Sequence, residues 1–263
     1  MYKPAKCFIL GSQRSGTTLL GLCLEAHPEI EVVEESDDRF HQPYFLTKRI
    51  DLEGVNDYQS PGRRAICFKS PRDSHRVKAI FAKMDHVKIL WMWRGVHEVV
   101  ASMLRLHPDV SGTSWAMRHA EHELIKYLFE GAYDPRLAKS CRAAISNESP
   151  REKLVSLACL CWLAKARCEL LARQYFGQNV HRVDYGKLVT NPEEELKNVV
   201  EFLDLSWSPR VLSHKKFTTG KRPGGTTANR ALDSTSLNKW RSELLDSDIE
   251  IIDNLLNEHP DAV

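Results

Sequence analysis

An α/β fold, with one central parallel sheet flanked by helices, is what the sequence predicts, and three observations predict it. Short apolar runs alternate with longer stretches of helical spacing, the pattern of strands joined by crossover helices. The first run leads straight into a glycine-containing loop and then a helix. The composition is that of a folded globular chain: 263 residues, 42% hydrophobic and 27% charged. With no internal repeat, low-complexity tract or linker, a single domain over 1–263 is expected.

The elements follow in order. Residues 5–10 read as a short buried strand. Leu19, Leu20, Leu22, Cys23 and Leu24 then mark a mostly buried helix that stops before His27 and Pro28. Residues 30–35 and 65–68 are further strands, and 73–84 has helical spacing through Val77, Ile80, Phe81 and Met84. The clearest strand is 87–93, broken by Arg94 and Gly95 before a helix carrying Val96, Val99, Val100, Met103 and Leu104. Residues 114–176 read as helical, interrupted near Pro135 and Pro150. A late strand at 180–183 precedes a helix over 192–203, which opens on Pro192 and three glutamates, both favourable at a helix start. A polar loop over 213–234 and short helices near Lys239 and over 249–256 close the chain.

Charge and cysteine usage exclude several classes. The 37 Lys+Arg against 35 Asp+Glu leave a net +2, which gives no bulk drive toward nucleic acid or an anionic membrane. The longest apolar run, 154–164, includes Ser156 and falls short of the roughly 20 residues that cross a bilayer. The first residues lack an export-signal core, so a cytoplasmic setting with reduced thiols is expected for the seven cysteines. Cys159 and Cys161 would face opposite sides of a helix, and no CxxC pair occurs. His119, His122 and Glu123 share a helical face, but a hydrated surface is preferred to a metal site.

The chemistry concentrates in Gly11-x4-Gly16, between a strand and a helix. Glycines let backbone approach an anion, and free amides at the helix start point toward it. The spacing is that of a Walker A loop, except that Thr17 stands where its lysine belongs and Arg14 lies in the middle. The strand over 87–93 runs into Arg94, not into the aspartate that would hold magnesium. A nucleotide-phosphate cradle is kept, without the parts for magnesium-dependent triphosphate chemistry.

Residues 8–20 resemble the 5′-phosphosulfate loop of the sulfotransferases that use 3′-phosphoadenosine 5′-phosphosulfate (PAPS). Residues 87–102 resemble their 3′-phosphate motif, a strand ending in arginine (Arg94) followed by a helix with a serine eight residues on (Ser102). The run Arg14 to Thr18, then Ala26-His27-Pro28 and the Glu34-Glu35 pair, is most similar to tyrosylprotein sulfotransferases and to the bacterial small-molecule enzymes that resemble them. The resemblance implies a P-loop-containing nucleoside triphosphate hydrolase-like sulfotransferase fold. It implies Glu35 as general base, Lys69 and Arg14 acting on the leaving group, and Ser15, Gly16, Thr17 and Thr18 as the phosphate cradle. Arg94 and Ser102 would hold the 3′-phosphate, and Tyr185 and Lys239 would lie beside the nucleotide. The pattern departs at Leu106, where a second arginine is expected and Arg105 comes one residue early. It departs also before residue 236, where Thr226, Thr227 or Ser234 would approach the sulfate. Residues 105–178 match no segment of the pattern and are expected to form a helical cap shaping the acceptor site.

The expected activity is therefore transfer of a sulfuryl group from PAPS to a hydroxyl, with an amine as second choice, of a small-molecule acceptor such as a secondary metabolite. PAPS is the co-substrate, adenosine 3′,5′-bisphosphate (PAP) the product, and no metal is needed. An acidic run from Glu34 to Asp38 would favour a cationic acceptor if it lines that site. His75 is the rival base. Lys215, Lys216, Lys221 and Arg222 could cover the anion. The alternatives are a P-loop small-molecule kinase and a non-catalytic nucleotide-binding protein.

Overall fold

The computed structural model describes residues 4–40, 49–84, 86–106, 115–131, 134–219, 229 and 231–262. Its frame is a five-stranded, all-parallel sheet of β1 (Ala5–Gly11), β2 (Ile30–Val33), β3 (Ala65–Lys69), β4 (Lys88–Trp93) and β5 (Val180–Asp184), in the order β2-β3-β1-β4-β5. The register places Phe8 beside Phe68 on one flank and Ile89 on the other. Buried on both faces, β1 reads as a continuous apolar run, and Cys7, Phe8, Ile9 and Leu10 are all fully buried. The period of two then divides them: Phe8 and Leu10 enter one core, Cys7 and Ile9 the other.

The helices are α1 (Thr17–Glu25), α2 (Leu52–Asp57), α3 (Val77–Lys83), α4 (Val96–Leu106), α5 (Trp115–Glu130), α6 (Pro135–Ile145), α7 (Pro150–Phe176), α8 (Tyr185–Thr190), α9 (Pro192–Phe202), α10 (Trp240–Glu243) and α11 (Asp246–Glu258). Apolar residues of α1, α8 and α9 pack with Cys7, Ile9, Leu90 and Met92 on one face. Those of α3 to α7 and α11 pack with Phe8, Leu10, Ile89 and Trp91 on the other. The crossover from β1 to β2 carries α1 over one face, and those leading to β4 and β5 carry α3 and α7 over the opposite one. Winding therefore reverses around β1, and the ligand position in such sheets is the crevice at the strands' carboxyl ends at that reversal.

Four sequence expectations change in the structure. The single helix read over 73–84 divides into a 3-10 turn, Pro71–Arg76, and α3; in the turn the Ser74 hydroxyl reaches back to the Pro71 carbonyl and the Asp73 carboxylate accepts from the Ile50 amide. Helices α2 and α8 were not expected; each is short and is started by an aspartate cap, Asp51 and Asp184. Within 105–178, α7 is buried along most of its length in the main core, so it is a structural axis of the domain. Glu123 is not on a hydrated surface: it is 5% exposed and paired to Lys126 and Lys165. The side chain of His119 lies outside the described residues. No group of three or more metal-ligating side chains, and no helix long and apolar enough to cross a membrane, occurs among the described residues.

Candidate active site

The loop after β1 is shaped by two close approaches. Gly11, at φ 130°, leaves its missing Cβ only 2.5 Å from the Met92 carbonyl oxygen, so β1 and β4 can pair up to the last residue. Gly16, at φ 103°, caps α1, and a Cβ there would stand 2.4 Å from the Tyr185 ring. Ser15 is fully buried, and both its amide and its hydroxyl donate to the Ser12 carbonyl, which closes the loop on itself. The amides of the first turn of α1, at Thr17 and Thr18, have no intrahelical acceptor and are the groups such a loop offers an anion.

Arg14 has left-handed backbone, φ 67°, an uncommon conformation for a residue with a Cβ. Its neighbours hold it there. Its carbonyl accepts from Arg94 Nη1 at 3.1 Å, and its Nε donates to Ser102 Oγ at 3.2 Å. Arg94, at the end of β4, is 7% exposed. Its guanidinium lies 4.1 Å over the Tyr185 ring, donates to the Ser236 carbonyl at 3.3 Å, and pairs with Glu98 one helical turn on at 3.3 Å. Tyr185 and Ser236 share a hydroxyl hydrogen bond of 2.6 Å. Trp162 of α7 donates to the Arg94 carbonyl at 2.8 Å, fixing the strand end from below. Arg14, Arg94, Ser102 and Tyr185, chosen from scattered sequence positions, thus form one contact group.

A second group forms at the ends of β2 and β3. Lys69 is fully buried, and its Nζ lies 2.8 Å from Glu34 Oε2 and 3.2 Å from Glu35 Oε1. Arg72 approaches Glu35 at 3.9 Å. A Cβ on Gly21 of α1 would come within 3.6 Å of both Glu34 and Lys69, so this pair lies against the helix that the phosphate loop opens. A buried ammonium costs several kcal/mol unless paired, and two carboxylates meet that requirement here.

Other expected residues lie elsewhere. His75 is 3% exposed and packed beneath the turn, with Nε2 3.5 Å from Glu130; burial first, then Lys165, lowers its pKa to about 4. Burial at that depth leaves the ring little access to an acceptor hydroxyl. Lys239 is exposed at the start of α10, outside the contacts of Arg94 and Tyr185. Lys215 and Lys216 are exposed on a 3-10 turn, and Arg105 pairs with Glu243 at 2.5 Å. Thr226, Thr227, Lys221 and Arg222 lie outside the described residues. All seven cysteines are free and buried, as small hydrophobes. Sequence reasoning missed Ser236, Glu98 and the pairing of Glu34 with Lys69. The i,i+4 spacing of Arg94 and Glu98 was a usable signal for one of them, whereas Ser236 carries none.

Fold and site together define an α/β protein in which a glycine loop meets an arginine cluster, with a lysine set between acids nearby. The chain belongs to the sulfotransferase family: the model for the sulfotransferase domain matches residues 4–260. It is 25% identical to nodulation protein NoeE of Sinorhizobium fredii over 96% of this chain and 64% of that one. It is 23% identical to a protein-tyrosine sulfotransferase of Drosophila melanogaster over 85% of this chain and 42% of that one. It therefore spans between about two-fifths and just under two-thirds of the length of these curated relatives. The sulfotransferase domain from the curacin biosynthetic pathway shares the fold, with a TM-score of 0.58 at 16% identity, covering 97% of this chain and 98% of that one. Mouse sulfotransferase SULT7A1 complexed with PAP has a TM-score of 0.53 at 17% identity, covering 97% and 84%.

Proposed function

We propose that the chain transfers a sulfuryl group from PAPS to a hydroxyl, with an amine as second choice, of a small-molecule acceptor. The observation that carries this reading is Lys69, buried at a strand end between Glu34 and Glu35 and set against the helix that the phosphate loop opens. PAPS, when bound, supplies the sulfuryl group and a bisphosphate leaving group. The residues fit such a molecule: glycine is required at 16, the first-turn amides of α1 are free of intrahelical partners, and two arginines and a serine converge nearby.

Glu35 accepts the proton of the acceptor hydroxyl. Glu34 keeps the buried Lys69 neutralised when Glu35 turns to the acceptor, and Lys69 then donates toward the oxygen on which charge develops. Arg14 and the amides at Thr17 and Thr18 would hold the 5′-side anion, and Arg94, stacked on Tyr185, would hold the 3′-phosphate with Ser102. Thr226, Thr227 and Lys239 remain proposed contacts of the nucleotide. The acid run 34–38 is partly balanced, by Lys69, by Arg72 and by Arg39 on Asp37, which weakens the charge reason for a cationic acceptor. Residues 36–60 and the α5 side of 105–178 are proposed to shape the acceptor pocket.

Two measurements test the reading. Calorimetric titration should give tight binding of PAP and weak binding of ATP with magnesium; the reverse order overturns it in favour of a kinase. A screen of hydroxylated acceptors with radiolabelled PAPS should then return labelled product. PAP binding with no transfer, and no effect of Glu35 and Lys69 substitutions, would make the chain a nucleotide-binding protein only.

A further inference from the structure

A buried charge relay joins α5 to α7. Glu123 and Lys126 of α5 and Lys165 of α7 are 5%, 4% and 5% exposed, and they lie beside the buried His75 and Asp73. Lys165 Nζ pairs with Glu123 Oε2 at 3.1 Å, and Lys126 Nζ donates to Glu123 Oε1 at 3.4 Å. Lys165 has one further acceptor, the backbone carbonyl of Pro71, two residues beyond Lys69. Burying two ammonium groups and one carboxylate costs several kcal/mol per ion before pairing, and apolar residues of like volume usually serve stability better. What these charges add is a directed hydrogen bond to that single carbonyl.

The carbonyl matters because of Ser74. Its hydroxyl receives the Gly11 amide at 3.0 Å and lies 3.0 Å from the Gly11 carbonyl and 2.8 Å from the Pro71 carbonyl. A hydroxyl has one proton and can serve only one of those two carbonyls at a time. With Lys165 donating to Pro71, the Ser74 proton is free for Gly11, and neither buried carbonyl is left without a donor. The chain of contacts from Glu123 through Lys165, Pro71 and Ser74 to Gly11 therefore couples the turn after Lys69 to the first residue of the phosphate loop.

We infer that Lys165, oriented by Glu123, is a positioning residue that fixes the Lys69 turn and the phosphate loop relative to each other. This rests on the reading of Lys69 and the loop given above. In the full chain, Lys165→Met should lower kcat about tenfold per PAP-titrated site, with KM for the acceptor and affinity for PAP within about twofold. Lys165→Arg should restore most of kcat, and Glu123→Gln should fall between. Independently of activity, amide hydrogen exchange in Lys165→Met should rise over residues 70–76 and at the phosphate loop, and stay unchanged in β4 and β5. Unchanged exchange at 70–76, or a kcat loss explained wholly by fewer PAP-binding sites, overturns the inference. If the wild-type chain binds no PAP, the functional reading fails, while the exchange experiment still decides whether the relay couples the two segments.

Discussion

Gly16 and Glu35 show how much depends on single side chains at this site. Gly16 combines a left-handed backbone with a Cβ position 2.4 Å from the Tyr185 ring, so alanine there meets both backbone strain and a collision. Gly16→Ala should weaken PAP binding about tenfold or more, roughly 1.4 kcal/mol, with far-ultraviolet circular dichroism unchanged. Retained affinity in calorimetry would show that Tyr185 moves freely and does not shape the nucleotide site. Glu35→Gln keeps the size of the side chain and removes the proton acceptor. Its kcat should drop by about 10² to 10⁴, the usual worth of a general base, with PAP affinity within about twofold. Glu34→Gln should be milder, since that carboxylate neutralises Lys69 without touching the acceptor; equal losses in single-turnover assays would remove the distinction between the two acids.

Among the elements, α7 does the most to hold the site in place. Its Lys165 reaches Pro71, its Trp162 fixes the Arg94 carbonyl, and its fully buried Glu169 receives Arg182 of β5 at 2.7 and 2.9 Å and Arg173 at 2.8 Å. Arg182 in turn stacks 4.1 Å from Trp93 at the end of β4. Glu169→Ala would strip a buried acceptor from two guanidinium groups. Loss of one partner of a buried pair costs about 3–5 kcal/mol, and about 2 kcal/mol is expected here because both arginines can turn to water. Urea denaturation should show that loss with PAP affinity preserved in native buffer. A comparable fall in affinity would mean that the pin acts on the site as well as on stability. Helix α4 plays the matching part for the C-terminal segment. Besides carrying Ser102, it holds α10 and α11 through Arg105 with Glu243 and His97 with Asp253 at 3.1 Å.

For the whole molecule, the histidines set the response to acid. Burial lowers the pKa of His75, to about 4, and of His122, His181 and His259. For His75, Lys165 and Lys126 act in the same direction, while Glu123 and Glu130 oppose. An unfolded histidine titrates near 6.5, so between about 6.5 and 4 the unfolded chain binds more protons than the folded one. Stability from these groups is complete above about pH 6.5 and is lost as pH falls toward 4. For His75 alone, about 1.4 kcal/mol per pH unit gives about 3 kcal/mol. Asp73 and Glu195 run the other way, burial raising both, so they offset part of the histidine effect as pH falls. Thermal unfolding should move steadily downward from pH 7 to 5, and His75→Gln should flatten part of that slope. A flat profile in the wild type would exclude the buried neutral state. The five strands, the phosphate loop and Arg94 with Ser102 were legible because each is a local pattern: an apolar run, a glycine spacing, a strand-end arginine with a serine eight residues on in the next helix. Ser236, the Glu34 and Lys69 pair and the Lys165 relay were not, because their partners are far apart in sequence and nothing local marks them.

By itself, the amino-acid sequence determined the parallel α/β class, the glycine loop between a strand and a helix, and the lack of a Walker lysine. Each of these follows from periodicity or from residues within a few positions of one another. Tertiary structure alone decided that Lys69 is buried between two glutamates, that Arg94 lies over Tyr185 and bonds the Arg14 carbonyl, and that residues 150–176 form a core axis. The reason is that these depend on strand order. Once β2, β3, β1 and β4 lie side by side, their ends meet at one edge, and side chains 34 to 88 positions apart come within hydrogen-bonding distance.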